Sequence, residues 1–210
     1  MNPKLKNALE WTYCIVIAIV IALAVKYFIG TPTVVKQTSM NNTLQEGERL
    51  WLNRWHRTVN GKYEVGDIIT FEAPSDTYPS LMEINFDYPV AKYENEPKGL
   101  ISKFAYYVLE TTKTSYIKRV IGVAGDHIKI EDGKVYRNGE ELQEDYLPEG
   151  TITKNKTYSD IVVPEDCVFV MGDNREHSTD SRDFGCIPIS KVESKVAFRF
   201  WPLNKFGKIE

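Results

Sequence analysis

The run from Trp11 to Ile29, WTYCIVIAIVIALAVKYFI, holds one charge, Lys26, in 19 residues. As a helix it spans about 28 Å at ~1.5 Å per residue, close to the hydrocarbon thickness of a bilayer. A segment this apolar has few choices, because in lipid each backbone polar group needs a partner inside the segment. No comparable run occurs elsewhere. The chain therefore divides into a tail (1–10), a transmembrane anchor (11–29) and a domain (30–210). Lys4 and Lys6 precede the run against Glu10 alone. The positive-inside rule then keeps the tail cytoplasmic and places the domain on the extracytoplasmic face of the cell membrane, in a single pass. Lys26 can extend its stem toward the far interface, with Trp11 and Tyr27 at the two boundaries.

A cleavable leader is the competing reading. Ala22-Leu23-Ala24 has the small-x-small form, but it lies inside the apolar run, and GTPTVVKQ beyond it offers no such alanine pair. An uncleaved anchor is expected, with the lipid bilayer as a partner.

Lys and Arg number 26 against 29 Asp and Glu, and the part beyond residue 29 carries 23 basic and 28 acidic side chains. That balance argues against nucleic acid as a partner. Three cysteines exclude a disulfide-stapled miniprotein, and without a Cys-x-x-Cys pair or a His/Cys cluster neither metal nor cofactor is expected. Cys14 reads as a small apolar residue of the span. Cys167 and Cys186 could pair, although isolated buried thiols are the simpler reading. A monomer is expected.

Beyond the anchor the chain reads as strands and turns. GDIITF (66–71), YIKRVIGV (116–123), DCVFVMGD (166–173) and KVAFRFWPL (195–203) are β-branched and aromatic runs. KVYRNGEEL (134–142) is a hairpin signal, since Asn138-Gly139 suits a type I′ turn. The expected fold class is mostly β, an extracytoplasmic sheet or barrel-like domain behind one N-terminal helix, as two sheets or a closed barrel. Residues 72–115, with Pro74, Pro79, Pro89 and Pro97, are too long for a plain loop and read as an inserted hairpin or subdomain.

Three segments carry candidate chemistry. In TSMNNTLQEGERLWL (38–52), Ser39 lies within about 30 Å of the bilayer, because roughly nine extended residues separate the two; alone, it reads as a turn residue. In YIKRVIGVAGD (116–126), strand alternation puts Lys118 with Val120 on one face and Arg119 with Ile117 and Ile121 on the other. One of the two cations is thus expected against apolar material. A buried ammonium loses hydration and shifts toward the neutral amine; a fall of about 3 pKa units would make lysine a usable base. In MGDNREHSTDSRDFG (171–185), core residues bracket a polar loop that must satisfy itself internally, with Asp180 pairing Arg182 and Asp173 pairing Arg175.

Together these segments resemble the type I signal peptidases in their Gram-positive form. The resemblance rests on Ser39-Met40, Gly66-Asp67-Ile68, Lys118-Arg119-Val120-Ile121-Gly122 with Gly125-Asp126, and Gly172 through Arg182, in order behind an anchor. It covers most of the chain except 72–115. Asn42 and Ala124 stand where the family often has proline, and the first of these changes is expected to loosen the turn after Ser39.

The resemblance implies a membrane-bound serine endopeptidase that removes N-terminal signal peptides from secreted preproteins after small-x-small (Ala-x-Ala) sites. Ser39 would be the nucleophile and neutral Lys118 the general base. Ser178 would orient the amine, and Asp180 and Arg182 would hold the loop. The Ser39 N–H would face the oxyanion, with Gln37 as a second donor. Met40, Ile69 and Val120 are the residues expected to wall small substrate pockets around an extended peptide. Trp51, Trp55, Trp201 and Phe200 suit either lipid docking or core packing. His177 beside Ser178 invites a Ser-His-Asp reading with Asp173 or Asp180, but neighbouring residues of a turn tend to point apart. His56, His127 and His177 read as solvated. The alternative is a catalytically inactive membrane-anchored scaffold that binds extended peptides, which the joint presence of Ser39, Lys118 and Ser178 disfavours.

Overall fold

The computed structural model describes residues 3–80, 82–94, 97–111 and 113–209. Helix α1 (Pro3–Ala24) continues through a π-helical turn, Val25–Ile29. Among the described residues the span long and apolar enough to cross a membrane is Lys6–Ile29, exposed over most of its length and half-buried at Lys26 and Tyr27. The helix thus starts ahead of the apolar run, because Lys4, Leu5, Lys6, Ala8 and Leu9 all suit a helix.

The domain that follows is mostly β. One antiparallel sheet contains β1 (Gly30–Val34), β2 (Arg49–Asn53), β3 (Ile68–Glu72), β4 (Ser115–Val123), β9 (Cys167–Met171), β10 (Ile187–Pro188) and β11 (Val192–Trp201). Its order is β1-β2-β11-β3-β4-β9-β10. The second contains β5 (His127–Glu131), β6 (Lys134–Arg137), β7 (Glu140–Glu141) and β8 (Asp160–Val162), in the order β7-β6-β5-β8. Asn138 and Gly139 take φ of 55° and 86°, which only a type I′ turn requires of both central residues. The sheet does not close. β1 and β10 are its two edges, so of the two expected arrangements the protein adopts the pair of open sheets rather than a barrel.

Three apolar clusters hold these layers. One joins Ile121, Phe169 and Met171 to the second sheet through Ile128, Ile130 and Ile161. Another gathers Ile69, Phe71, Val120, Val170 and Phe184. The third packs Met40, Leu44, Leu50, Leu52 and Ile68 beneath the turn that carries Ser39. Val120 and Ile121 of β4 enter different clusters, so this central strand is covered on both faces. Both Lys118 and Arg119 are buried as a result, where alternation alone predicted one.

Residues 73–114 connect β3 to β4, and those described include the short helix α2 (Leu100–Phe104) with a π-helical continuation, Ala105–Leu109. Cys167 and Cys186 are free thiols. Burial pushes the Cys167 thiol up to about 11, and moves Cys186 further in the same direction. Both are neutral and inert at physiological pH.

Candidate active site

A 3₁₀ turn, Thr38–Met40, carries Ser39. Leu44 and Met40 anchor that turn in the core beneath, so Ser39 is held at 7% exposure. The middle of β4 supplies Lys118, opposite Ile69 of β3. Lys118 Nζ lies 2.7 Å from Ser39 Oγ, across 79 residues of sequence. The amine also donates to the Ile117 carbonyl over 3.1 Å.

Burial lowers the Lys118 amine from its ordinary value to about 8, against the opposing pull of the Asp180 and Asp173 carboxylates. At pH 7 about one amine in ten is then neutral, against one in some thousands for free lysine. The Tyr116 ring, 5.2 Å from Nζ, is the aromatic neighbour of the amine.

The loop after β9 fixes the serine from the other side. Asn174 N–H donates to the Ser39 carbonyl over 3.0 Å, and its side-chain amide donates to the Thr38 carbonyl over 3.1 Å. Asp173 is fully buried and takes Arg119 Nη2 at 2.9 Å and the Thr43 hydroxyl at 2.5 Å. The expected Asp173–Arg175 pair does not form. Arg175 turns away to Glu144 and to Thr153 Oγ1, while the buried Arg119 needs the carboxylate. Asn42, expected to loosen the turn, instead donates its side-chain amide to the Asp173 main-chain carbonyl over 2.7 Å.

Asp180 and Arg182 do pair, at 2.8 Å with neither side chain exposed. Burial would raise the Asp180 carboxyl, but the hydrogen bonds and charge of Arg182 outweigh it and hold the group below the usual range. Asp180 caps helix α3 (Ser181–Phe184) and accepts from the Gly172 N–H over 3.1 Å, which closes the loop on itself at the end of β9. Ser178 is buried against Gly172, where its hydroxyl helps to lower the Asp180 carboxyl without a hydrogen bond of regular geometry. The structure does not bring it onto the Lys118 amine, whose partners are Ser39 and Ile117. His177 is exposed. His56 bonds the Lys62 carbonyl and His127 bonds Asp160, so neither is simply solvated.

A groove of about 590 Å³ is lined by Gln37 and Ile117, sequence neighbours of Ser39 and Lys118, which do not line it themselves. Residues 31–37 and 113–117 also line it, with Lys26, Arg54, Leu109 and Glu110. Val35, Leu50, Leu52, Tyr116 and Ile117 give it apolar surface. Met40, Ile69 and Val120, expected as pocket walls, are buried in the apolar clusters, as are Val35, Leu50 and Leu52 of the groove lining. Arg119, Asn42, Thr43 and Asn174 were not read as site residues, although Arg119 and Asn174 lie inside the quoted motifs.

The model of the signal peptidase family, peptidase S26, matches residues 8–201. The chain belongs to that family. The signal peptidase is 31% identical over 214 residues to signal peptidase I of Bacillus licheniformis, covering 98% of this chain and 95% of that protein. It is 32% identical over 216 residues to signal peptidase IB of Staphylococcus aureus, covering 96% and 93% respectively. A solved signal peptidase I from Enterococcus faecalis aligns over 64% of this chain and 96% of that one, at 24% identity and a TM-score of 0.41. The protein is thus a serine peptidase of the signal peptidase I kind, with an apolar N-terminal helix that fits a membrane anchor.

Proposed function

We propose that this peptidase cleaves secreted preproteins after small-x-small sequences with a Ser39/Lys118 dyad, on the extracytoplasmic face of the membrane that holds its N-terminal helix. The observation that carries the reading is the 2.7 Å contact between a buried amine and Ser39 Oγ. Neutral Lys118 takes the Ser39 proton as Oγ bonds to the scissile carbonyl carbon. The proton passes to the leaving amine as the carbon–nitrogen bond breaks, leaving an acyl-serine. Water, deprotonated by the same lysine, then releases the acyl group. The Ser39 N–H stands as oxyanion donor, with the Gln37 amide in the groove lining as the second.

The groove supports an extended peptide lying between residues 31–37 and 113–117, with side chains facing Val34, Tyr116 and Ile117. Ser178 remains the group to meet the amine once substrate displaces the resting contacts. Asp173, Asp180 and Arg182 are positioning residues.

The test is turnover of a fluorogenic Ala-x-Ala peptide by the full chain in detergent. Ser39→Ala and Lys118→Ala should each abolish cleavage with the circular dichroism spectrum retained. Persistent turnover in Lys118→Ala would refute the base assignment, and a wild type that binds the peptide without cutting it would favour the inactive scaffold.

A further inference from the structure

The segment Leu100–Leu109 belongs to neither sheet and to no part of the catalytic cluster. Its first turn faces outward. Leu100 is 87% exposed, Ile101 86% and Phe104 46%. These three fall within an arc of about 100° on one side of the helix. Lys103 is the single charge in the segment.

The other end is pinned. The Tyr106 hydroxyl donates to Glu72 Oε1 over 2.8 Å. Lys26 Nζ donates to the Leu109 carbonyl over 3.0 Å and to the Val108 carbonyl over 3.4 Å. Glu110, which ends the helix at a φ of 59°, lies 2.6 Å from Arg54 and 3.4 Å from Lys26.

Lys26 stands three residues before the end of the membrane-length helix Lys6–Ile29, about 5 Å of rise. The carbonyls it binds therefore lie at the depth where the anchor leaves the lipid. An apolar turn left uncovered in water is disfavoured, and this one stands within about 14 Å of helix from the carbonyls that Lys26 binds at the end of the anchor. Its occupant follows from that continuity with the anchor.

We propose that Leu100–Leu109 is an interfacial helix lying on the leaflet from which the anchor emerges, with Leu100, Ile101 and Phe104 among the lipid chains and Lys103 at headgroup phosphates. The partner is a bilayer surface containing anionic lipid. The proposal goes beyond the cleavage reaction and does not depend on the roles of Ser39 or Lys118. It adds a second membrane contact beside the substrate groove, since Leu109 and Glu110 line that groove.

The test places a bimane label at Ile101→Cys in the full chain carrying Cys14→Ser, reconstituted in phosphatidylglycerol–phosphatidylcholine vesicles. The reference is the same label at Val162→Cys, 58% exposed on the second sheet. The Ile101 label should be quenched by spin-labelled lipid and be about fivefold less accessible to aqueous iodide than the Val162 label. In Leu100→Glu protein the label should regain iodide access. Equal iodide access at both positions would overturn the proposal. So would shielding from iodide without lipid quenching, which would mean that protein covers the helix.

Discussion

The Asn42 side-chain amide donates to the Asp173 carbonyl over 2.7 Å, and so ties the turn of the candidate nucleophile to the loop that receives Arg119. The bond replaces the stiffness that a proline would have given this position. A single such bond is worth about 1 kcal/mol. Asn42→Ala should therefore lower Tm by about 2–4 °C and kcat/KM by up to about fivefold. Unchanged kinetics would show that the turn is held by Met40 and Leu44 alone.

The Lys118 amine sits near pKa 8 because burial strips its hydration. If its neutral form is the base, kcat/KM should climb with pH and level off above an inflection near 8. The same depression bears on stability. Between about 8 and the ordinary lysine value the unfolded chain binds more protons than the folded one, so stability rises with pH across that window. Below it the full cost of the buried ammonium, about 3 kcal/mol, is present. Lys118→Met should accordingly be inactive yet more stable at pH 7, with the advantage shrinking toward pH 10. Urea unfolding at the two pH values measures this, and a variant less stable than wild type at pH 7 would contradict it.

Asp180 and Arg182 form an ion pair with both side chains wholly out of solvent. Removing one partner strands the other charge in the core. Arg182→Ala should cost about 3–5 kcal/mol in urea unfolding. The wild type should also lose stability as pH falls through the lowered Asp180 value, because protonation breaks the pair. A loss under about 1 kcal/mol in the variant would mean that water reaches the site.

Gly172 has no room for a side chain. A Cβ there would lie 2.3 Å from Ser178 Oγ and 2.5 Å from the Ser39 carbonyl oxygen. Gly172→Ala must displace the Ser39 main chain, and a shift of about 1 Å can cost 100-fold in rate. The expected result is a fall in kcat of that order with the fold retained by circular dichroism. Near-normal kcat would place the strain elsewhere.

The anchor was legible because it depends only on length and apolarity, which are local. The strands of the large sheet were legible in part for the same reason. Ile68–Glu72, Ser115–Val123 and Cys167–Met171 are rich in β-branched and aromatic residues, whereas Gly30–Val34 and Arg49–Asn53 are strands because β1, β2 and β11 pair side by side. The motif quoted around Arg182 likewise fixed the Asp180 pairing, its partners being two residues apart.

The sequence by itself determined the membrane-length helix, the mostly β character and the residue types able to carry acyl transfer. Only the tertiary structure decided that both Lys118 and Arg119 are buried, and that Asp173 takes Arg119 rather than Arg175. The reason is range. Periodicity and turn chemistry act over a few neighbours, while burial and pairing depend on what a strand meets from distant parts of the chain, as Lys118 meets Ser39 from 79 residues away.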